Sequence, residues 1–239
     1  MRSLRSLPGV QVLVLDTSCP QVLAALVRVA APGTAPRVLA EHAPVDARRH
    51  GELLAVGIRE VLSRPAGAGG ARPDAIVVGA GPGPFTGLRV GLVSAAALSD
   101  AWAVPAYAVC SLDGIARPGR TCVVVTDARR REIYWARYDA GGRRRAGPAV
   151  ERPAVLAEQL RAEKSGVLCG AGALLHADEL AGLDVEADAP YPSAQRLVLA
   201  AADRVLAGAP PDPLTPLYLR RPDATPPRAP KRVTEAAPG

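Results

Sequence analysis

An unbroken apolar run, Ala75 to Val78, leads through a glycine-proline loop into a long helix, Thr86 to Trp102, that is apolar on nearly every side. No other feature restricts the fold as much. A strand without polar alternation is covered on both faces, which parallel sheets with crossover helices provide. The helix adds a second demand, because Leu88, Val90, Leu92, Val93, Leu98, Ala101 and Trp102 are spread around it while only Thr86, Arg89, Ser94, Ser99 and Asp100 are polar. One face packs on the sheet and another needs a second cover. Gly87, Gly91, Ala95 and Ser99 recur every fourth residue, and side chains that small let another helix approach closely. Either the neighbouring helix of the same chain or a partner protein supplies that cover.

Three short strands precede this unit, Val10 to Leu15, Val22 to Val29 and Arg37 to His42, and their short links predict an antiparallel meander. A helix from Arg49 to Ser63 follows, with Leu53, Leu54, Ile58, Val61 and Leu62 on one face. A strand at Ala106 to Val109 closes the first half. The pattern then restarts with strands at Cys122 to Thr126 and Ile133 to Tyr138, a turn at GGRRR, and helices at Ala154 to Ala162 and Gln195 to Ala207 around a strand at Val167 to Cys169. This order resembles ribonuclease-H-like lobes as duplicated in actin and the sugar kinases. The expected fold is therefore α/β, two such lobes in tandem over residues 1–110 and 111–219, with mixed sheets flanked by helices. Residues 220–239 hold five prolines and almost nothing apolar, so a disordered tail is expected there.

At 239 residues, with 49% hydrophobic and 22% charged, the chain has a globular composition that excludes a disordered protein or a coiled coil. Arginine outnumbers lysine 27 to 2 beside 24 prolines and 23 glycines, which points to a GC-rich coding bias. The formal net charge of +6 sits mostly at the ends: Arg2 and Arg5, then Arg220, Arg221, Arg228, Lys231 and Arg232 against Asp223 and Glu235. Only one net positive charge remains for residues 10–219, so the body is not an evident platform for RNA. Arg28, Arg59, Arg89 and Asp100 interrupt the best apolar stretches, and no membrane span is expected. The start imitates a signal peptide, but Pro8, Gln11 and Asp16 break its apolar region. Cys19, Cys110, Cys122 and Cys169 are few and irregularly spaced, as buried thiols in a reducing compartment would be, and the expected location is the cytoplasm.

Few residues look catalytic. His42, His50 and His176 form no i, i+4 pair, and no cysteines stand two to four apart, so no metal of its own is expected. His50 and Glu52 read as a helix-start pair. In nucleotide-using proteins of this fold the first hairpin of each lobe sets an Asp and glycines against phosphates. Here those turns are Asp16-Thr17-Ser18 and Asp127-Ala128-Arg129, and the second has no glycine. The loop at 79–91, GAGPGPFTGLRVG, fails the dinucleotide and P-loop patterns; it offers either amides to an anion or a turn stiffened by Pro82 and Pro84 with glycines at positive φ. Cys110 reads as an inert core thiol. Arg129 to Arg131 and Arg143 to Arg145 read as solvated turns, because no aromatic residues are interleaved with them.

The motifs VLVLDTS, RRHGELL at 48–54, GPGPFTGLRVG at 81–91, CSLDGIA at 110–116, DARRREIYWARY at 127–138 and LYLR at 217–220 together resemble the TsaB (YeaZ) family of bacterial tRNA threonylcarbamoyladenosine synthesis. Pro84 departs from the family's usual serine, and Gly51 stands inside what is commonly His-Ser-Glu. The resemblance implies a non-catalytic scaffold, cytoplasmic, that pairs with a TsaD-like catalytic subunit and a TsaE-like ATPase, with ATP and metal on those partners and tRNA reached through the complex. It implies a partner contact at Glu52, Leu53, Phe85, Thr86, Leu88, Arg89 and Leu92, to which the small-residue stripe adds Gly87 and Gly91. A homodimer of the isolated chain is compatible with it. The alternatives are an enzyme in its own right, an actin-like-fold ATPase or kinase or a peptidase, and a tRNA-binding module that uses the basic tail.

Overall fold

A computed structural model describes residues 9–63, 72–163, 167–186 and 188–220. The expected meander is present as β1 (Val10–Asp16), β2 (Leu23–Val29) and β3 (Arg37–His42), both pairings antiparallel. Then come α1 (His50–Ser63), β4 (Ala75–Gly79), α2 (Phe85–Trp102) and β5 (Ala106–Val109), with β4 parallel to both β1 and β5. The first sheet has the order β3-β2-β1-β4-β5. The second is built from β6 (Cys122–Asp127), β7 (Ile133–Tyr138), β8 (Arg144–Glu151), β9 (Val167–Cys169) and β10 (Val185–Glu186), in the order β10-β9-β6-β7-β8. In each sheet the central strand pairs antiparallel with the next in sequence and parallel with the later one, so both sheets are mixed and the topology is repeated. The helices α3 (Pro153–Glu163), α4 (Ala171–Leu175) and α5 (Ala194–Leu206) complete the fold.

Strands β1 and β4 are buried on both faces because two helical layers enclose them. On one side Leu13, Leu15, Ile76 and Val78 meet Leu54 and Val61 of α1 and Leu92 and Ala95 of α2. On the other, Val12, Val14, Val77 and Tyr107 meet Leu197, Val198, Ala201 and Val205 of α5. A fully buried side chain of this size contributes about 1.5–3 kcal/mol, which makes this double-sided layer the main stabiliser of the first sheet. Helix α5 comes from the second half of the sequence and packs on the first sheet. The second sheet has one helical cover, where Val123, Val125, Ile133 and Leu168 meet Leu156 and Leu160 of α3. Its other face is covered by Leu112, Ile115, Leu217 and Leu219.

Three elements were invisible to periodicity: β8, α4 and β10. Strand β8 holds Gly147 and Pro148 and lies at the sheet edge, where a missing N–H is tolerated, and its register to β7 is irregular. Its first residues, Arg144 and Arg145, correct the turn expected at 143–145. The reversal lies at Gly142 (φ 74°), and Arg145 pairs with Asp139.

The segment after α5 is ordered by backbone groups. Tyr107 Oη donates to Ala209 O (2.7 Å), Asp212 N to Ala106 O (3.1 Å), Ala108 N to the Asp212 carboxylate (3.2 Å) and Leu217 N to Ala80 O (2.8 Å). The chain thus runs along β5 and satisfies the edge groups a terminal strand leaves open. Arg204 also pairs with Asp212. Arg220, expected at the start of a loose tail, is held instead by Ala128 O (3.1 Å) and Glu132 (3.0 Å). The tail residues 221–239 and Arg2 and Arg5 lie outside the described residues. Among the described residues no helix is long and apolar enough to cross a membrane.

Candidate functional site

The β1–β2 turn is welded to α2. Thr17 Oγ1 donates to Gly87 O (2.7 Å) and accepts from Gly91 N–H (3.0 Å), the two groups that a regular helix pairs with each other. A Cβ on Gly87 would stand 2.5 Å from Thr17 O, and one on Gly91 2.6 Å from Thr17 Oγ1. A Cβ on Gly83 would strike the Ser18 carbonyl. The small residues of α2 therefore admit the chain's own turn and not another helix. In the preceding loop only Gly81 needs the left-handed region (φ 95°).

This packing closes the first phosphate turn. The Asp16 carboxylate, almost fully buried, accepts from Ser18 N (2.9 Å), Ser18 Oγ (2.7 Å) and Ser111 Oγ (2.6 Å). Burial raises its pKa, against the lowering by those hydrogen bonds. Both of its oxygens are engaged, and α2 and the loop before it pack directly on Thr17 and Ser18. At the second turn Arg129, Arg130 and Arg131 all have positive φ (63°, 53° and 62°), and Asp127 accepts from Arg129 N (2.7 Å). These residues do not fit the two-lobe phosphate clamp of nucleotide-using relatives of the fold. Among the described residues no three His, Cys, Asp or Glu groups stand together as metal ligands would. Cys110 is buried and its thiol is pushed up to about 12, chiefly by that burial.

The nine residues expected at a partner contact divide into two sets. Gly87, Leu88, Gly91 and Leu92 point inward and are buried, which corrects their reading as surface contacts. Thr86, Arg89 and Glu52 are exposed, and Leu53 and Phe85 are half-buried. Glu52 pairs with Arg49 (2.8 Å) and His50 Nε2 contacts Cys19 O (2.9 Å), so the two do not form the helix-start pair expected of them. The outward strip of α2 is Val93, Ala96, Ala97, Asp100 and Ala101, with Val93 65% exposed and Leu98 and Trp102 half-covered. Helix α1 covers only one flank.

A groove between the lobes holds what periodicity could not find. The Phe85 and Tyr218 rings stack at 4.4 Å, the Arg89 guanidinium lies 3.9 Å over Phe85, and Arg89 Nε donates to Tyr218 Oη (3.2 Å). Phe85, Tyr134 and Tyr218 join Arg129, Arg130 and Arg220 around one cavity of about 340 Å³. A neighbouring cavity of about 530 Å³ lies between Ser18 to Pro20 and Leu174, Leu175 and Tyr191. Arg129 borders both, together with a third beside His50 and Thr86. The LYLR motif was the only sequence signal for Tyr218 and Arg220.

The chain matches the family model described as TsaD, tRNA N6-adenosine threonylcarbamoyltransferase, over residues 38–208. An uncharacterized protein of Mycobacterium tuberculosis strain H37Rv is 45% identical over 222 residues, covering 90% of this chain and 94% of that one. A tRNA N6-adenosine threonylcarbamoyltransferase of Erythrobacter litoralis is 38% identical over 119 residues, 46% of this chain and 34% of the enzyme. Among solved structures, YeaZ from Pseudomonas aeruginosa superposes with a TM-score of 0.69 at 27% identity over 88% of this chain and all of the other. A second crystal structure from that organism, of an uncharacterized protein with similarity to peptidase YeaZ, gives 0.71 with the same identity and coverage.

Proposed function

The chain belongs to the TsaB (YeaZ) branch of the threonylcarbamoyltransferase family, and on that premise we propose that it serves tRNA threonylcarbamoyladenosine synthesis as a non-catalytic scaffold. Its partners are a TsaD-like catalytic subunit and a TsaE-like ATPase, which carry the metal and the ATP, and tRNA is met in that complex. The observation that carries this reading is the asymmetry of α2, whose inner face is locked on Thr17 while its outer strip is open and made of small apolar residues with one charge, Asp100. An apolar strip of this kind beside a charged flank, Glu52 and Arg89, has the composition of a subunit interface. The closed phosphate turn at Asp16 supports a role without nucleotide chemistry of its own. When alone, the chain pairs with a second copy through the same strip.

Co-purification with the catalytic subunit, followed by a reconstituted tRNA modification assay, tests the proposal. Modification should require this chain, and Val93→Asp should abolish association while leaving the melting temperature unchanged. Purified protein that turns over nucleotide with metal, or cleaves peptides, would favour an enzyme over a scaffold.

A further inference from the structure

The inter-lobe groove has chemistry that a scaffold does not need. The chain contains one Phe, two Trp and five Tyr, and three of these eight rings, from residues 85, 134 and 218, converge on the single cavity that also gathers Arg129, Arg130 and Arg220. Interleaving of aromatics with arginines, absent along the sequence, is therefore produced by the fold. Arg89 lies on the Phe85–Tyr218 stack, and at the rim Arg129 pairs with Asp127 and Arg220 with Glu132. Three consecutive non-glycine residues in the left-handed region hold the arginine turn at the groove, a conformation that L-residues resist and that is retained where the side chains serve a purpose. Rings offer a stacking surface to any base, and guanidinium forks suit phosphate oxygens. At about 340 Å³ the cavity is at the small end of ligand sites, which favours one unit of a polymer over a duplex.

We infer that this cavity is a subsite for one unpaired nucleotide of an RNA strand, its base against the Phe85 and Tyr218 rings and its phosphate at Arg129 and Arg130. The choice of RNA rests on the role in tRNA modification proposed above; the rings and charges call for a nucleotide in either case. The phosphate contacts add salt-sensitive affinity, and the rings add affinity that salt does not screen.

The test measures anisotropy of a labelled single-stranded RNA hexanucleotide with the full chain and with the double variant Arg129→Asn, Arg130→Asn. Asparagine accepts the left-handed region, so this variant keeps its fold and should melt no lower than the parent. Its affinity for the hexanucleotide should drop at least tenfold, and its log-log salt slope should flatten by about 0.7, the share of one phosphate contact on a single strand. Tyr218→Leu should weaken binding without changing the slope, and Tyr218→Phe should restore it. Unchanged affinity in the folded double variant overturns the subsite. Displacement of the hexanucleotide by AMP at comparable affinity would assign the cavity to a free nucleotide, and displacement by polyglutamate would reduce it to a general anion surface; either result overturns the strand reading. The modification assay reports separately on the scaffold. A dispensable chain removes that role whatever its RNA affinity, whereas an indispensable chain with unaltered affinity in the double variant removes only the subsite.

Discussion

The two lobes begin with corresponding hairpins whose turns have diverged in opposite directions. The first, Asp16-Thr17-Ser18, is buried, hydrogen-bonded to Ser111 and inserted into the hydrogen-bond ladder of α2. The second, Asp127-Ala128 and its three arginines, is wound left-handed and lines open cavities. One turn has become part of the core and the other part of a surface. The first turn commits both Asp16 oxygens to Ser18 and Ser111, and the second carries three left-handed arginines. The second is then free to carry charge for another ligand.

Substitutions at the welded turn should have the largest effects. In an ordinary helix Gly→Ala stabilises by about 1 kcal/mol, but Gly87→Ala should cost about 2–3 kcal/mol, because the new methyl meets a backbone carbonyl that cannot retreat. Denaturant unfolding decides this, and a gain in stability would show that the two elements are not locked.

The next effect is a pH dependence. Burial raises the Asp16 pKa in the fold, so the native chain holds a proton that the unfolded chain releases above about 3.9. Its contribution is full below that value and is lost as pH rises through the folded pKa, with a limiting slope of about 1.4 kcal/mol per pH unit. Asp113 shifts the same way, burial again being the main cause, so the informative quantity is the difference between parent and Asp16→Asn. The parent should lose stability with rising pH more steeply than the variant across that window. Parallel pH curves would mean that Asp16 is ionised throughout.

Smaller effects test each turn by itself. Thr17→Val keeps the shape and removes the hydroxyl, and should cost about 1 kcal/mol in the melting curve, since the helix can partly re-form the Gly91 to Gly87 bond. At the open turn, Arg131→Gly should raise stability by about 0.5–1 kcal/mol by removing a left-handed non-glycine residue. A loss there would show that the Arg131 side chain stabilises the turn more than its backbone strains it.

Strands and helices with a simple period were legible in the sequence. β3, β5, β7 and β9 have the bounds expected of them, and α1 and α2 differ from expectation by one residue at the start. The missed elements share a physical cause. β8 carries Gly and Pro at a sheet edge, α4 has five residues and β10 two, all too short or too irregular to generate a period. At the site, the GPGPFTGLRVG motif was read as a landmark, but the same four-residue spacing describes a helix-facing stripe and a stripe that admits a loop. Only the position of Thr17 separates these, and it lies seventy residues away in the chain.

The sequence by itself determined the repeated order of strands and helices, the double burial of β4, and the surplus apolar surface of α2, because all three follow from hydrophobic periodicity, which is a local property. Tertiary structure decided which face of α2 is open, that α5 completes the first sheet, and that Phe85, Tyr134 and Tyr218 meet three arginines. Those outcomes depend on contacts between segments from about 45 to more than 180 residues apart, and no local pattern encodes which of many possible surfaces a distant segment will fill.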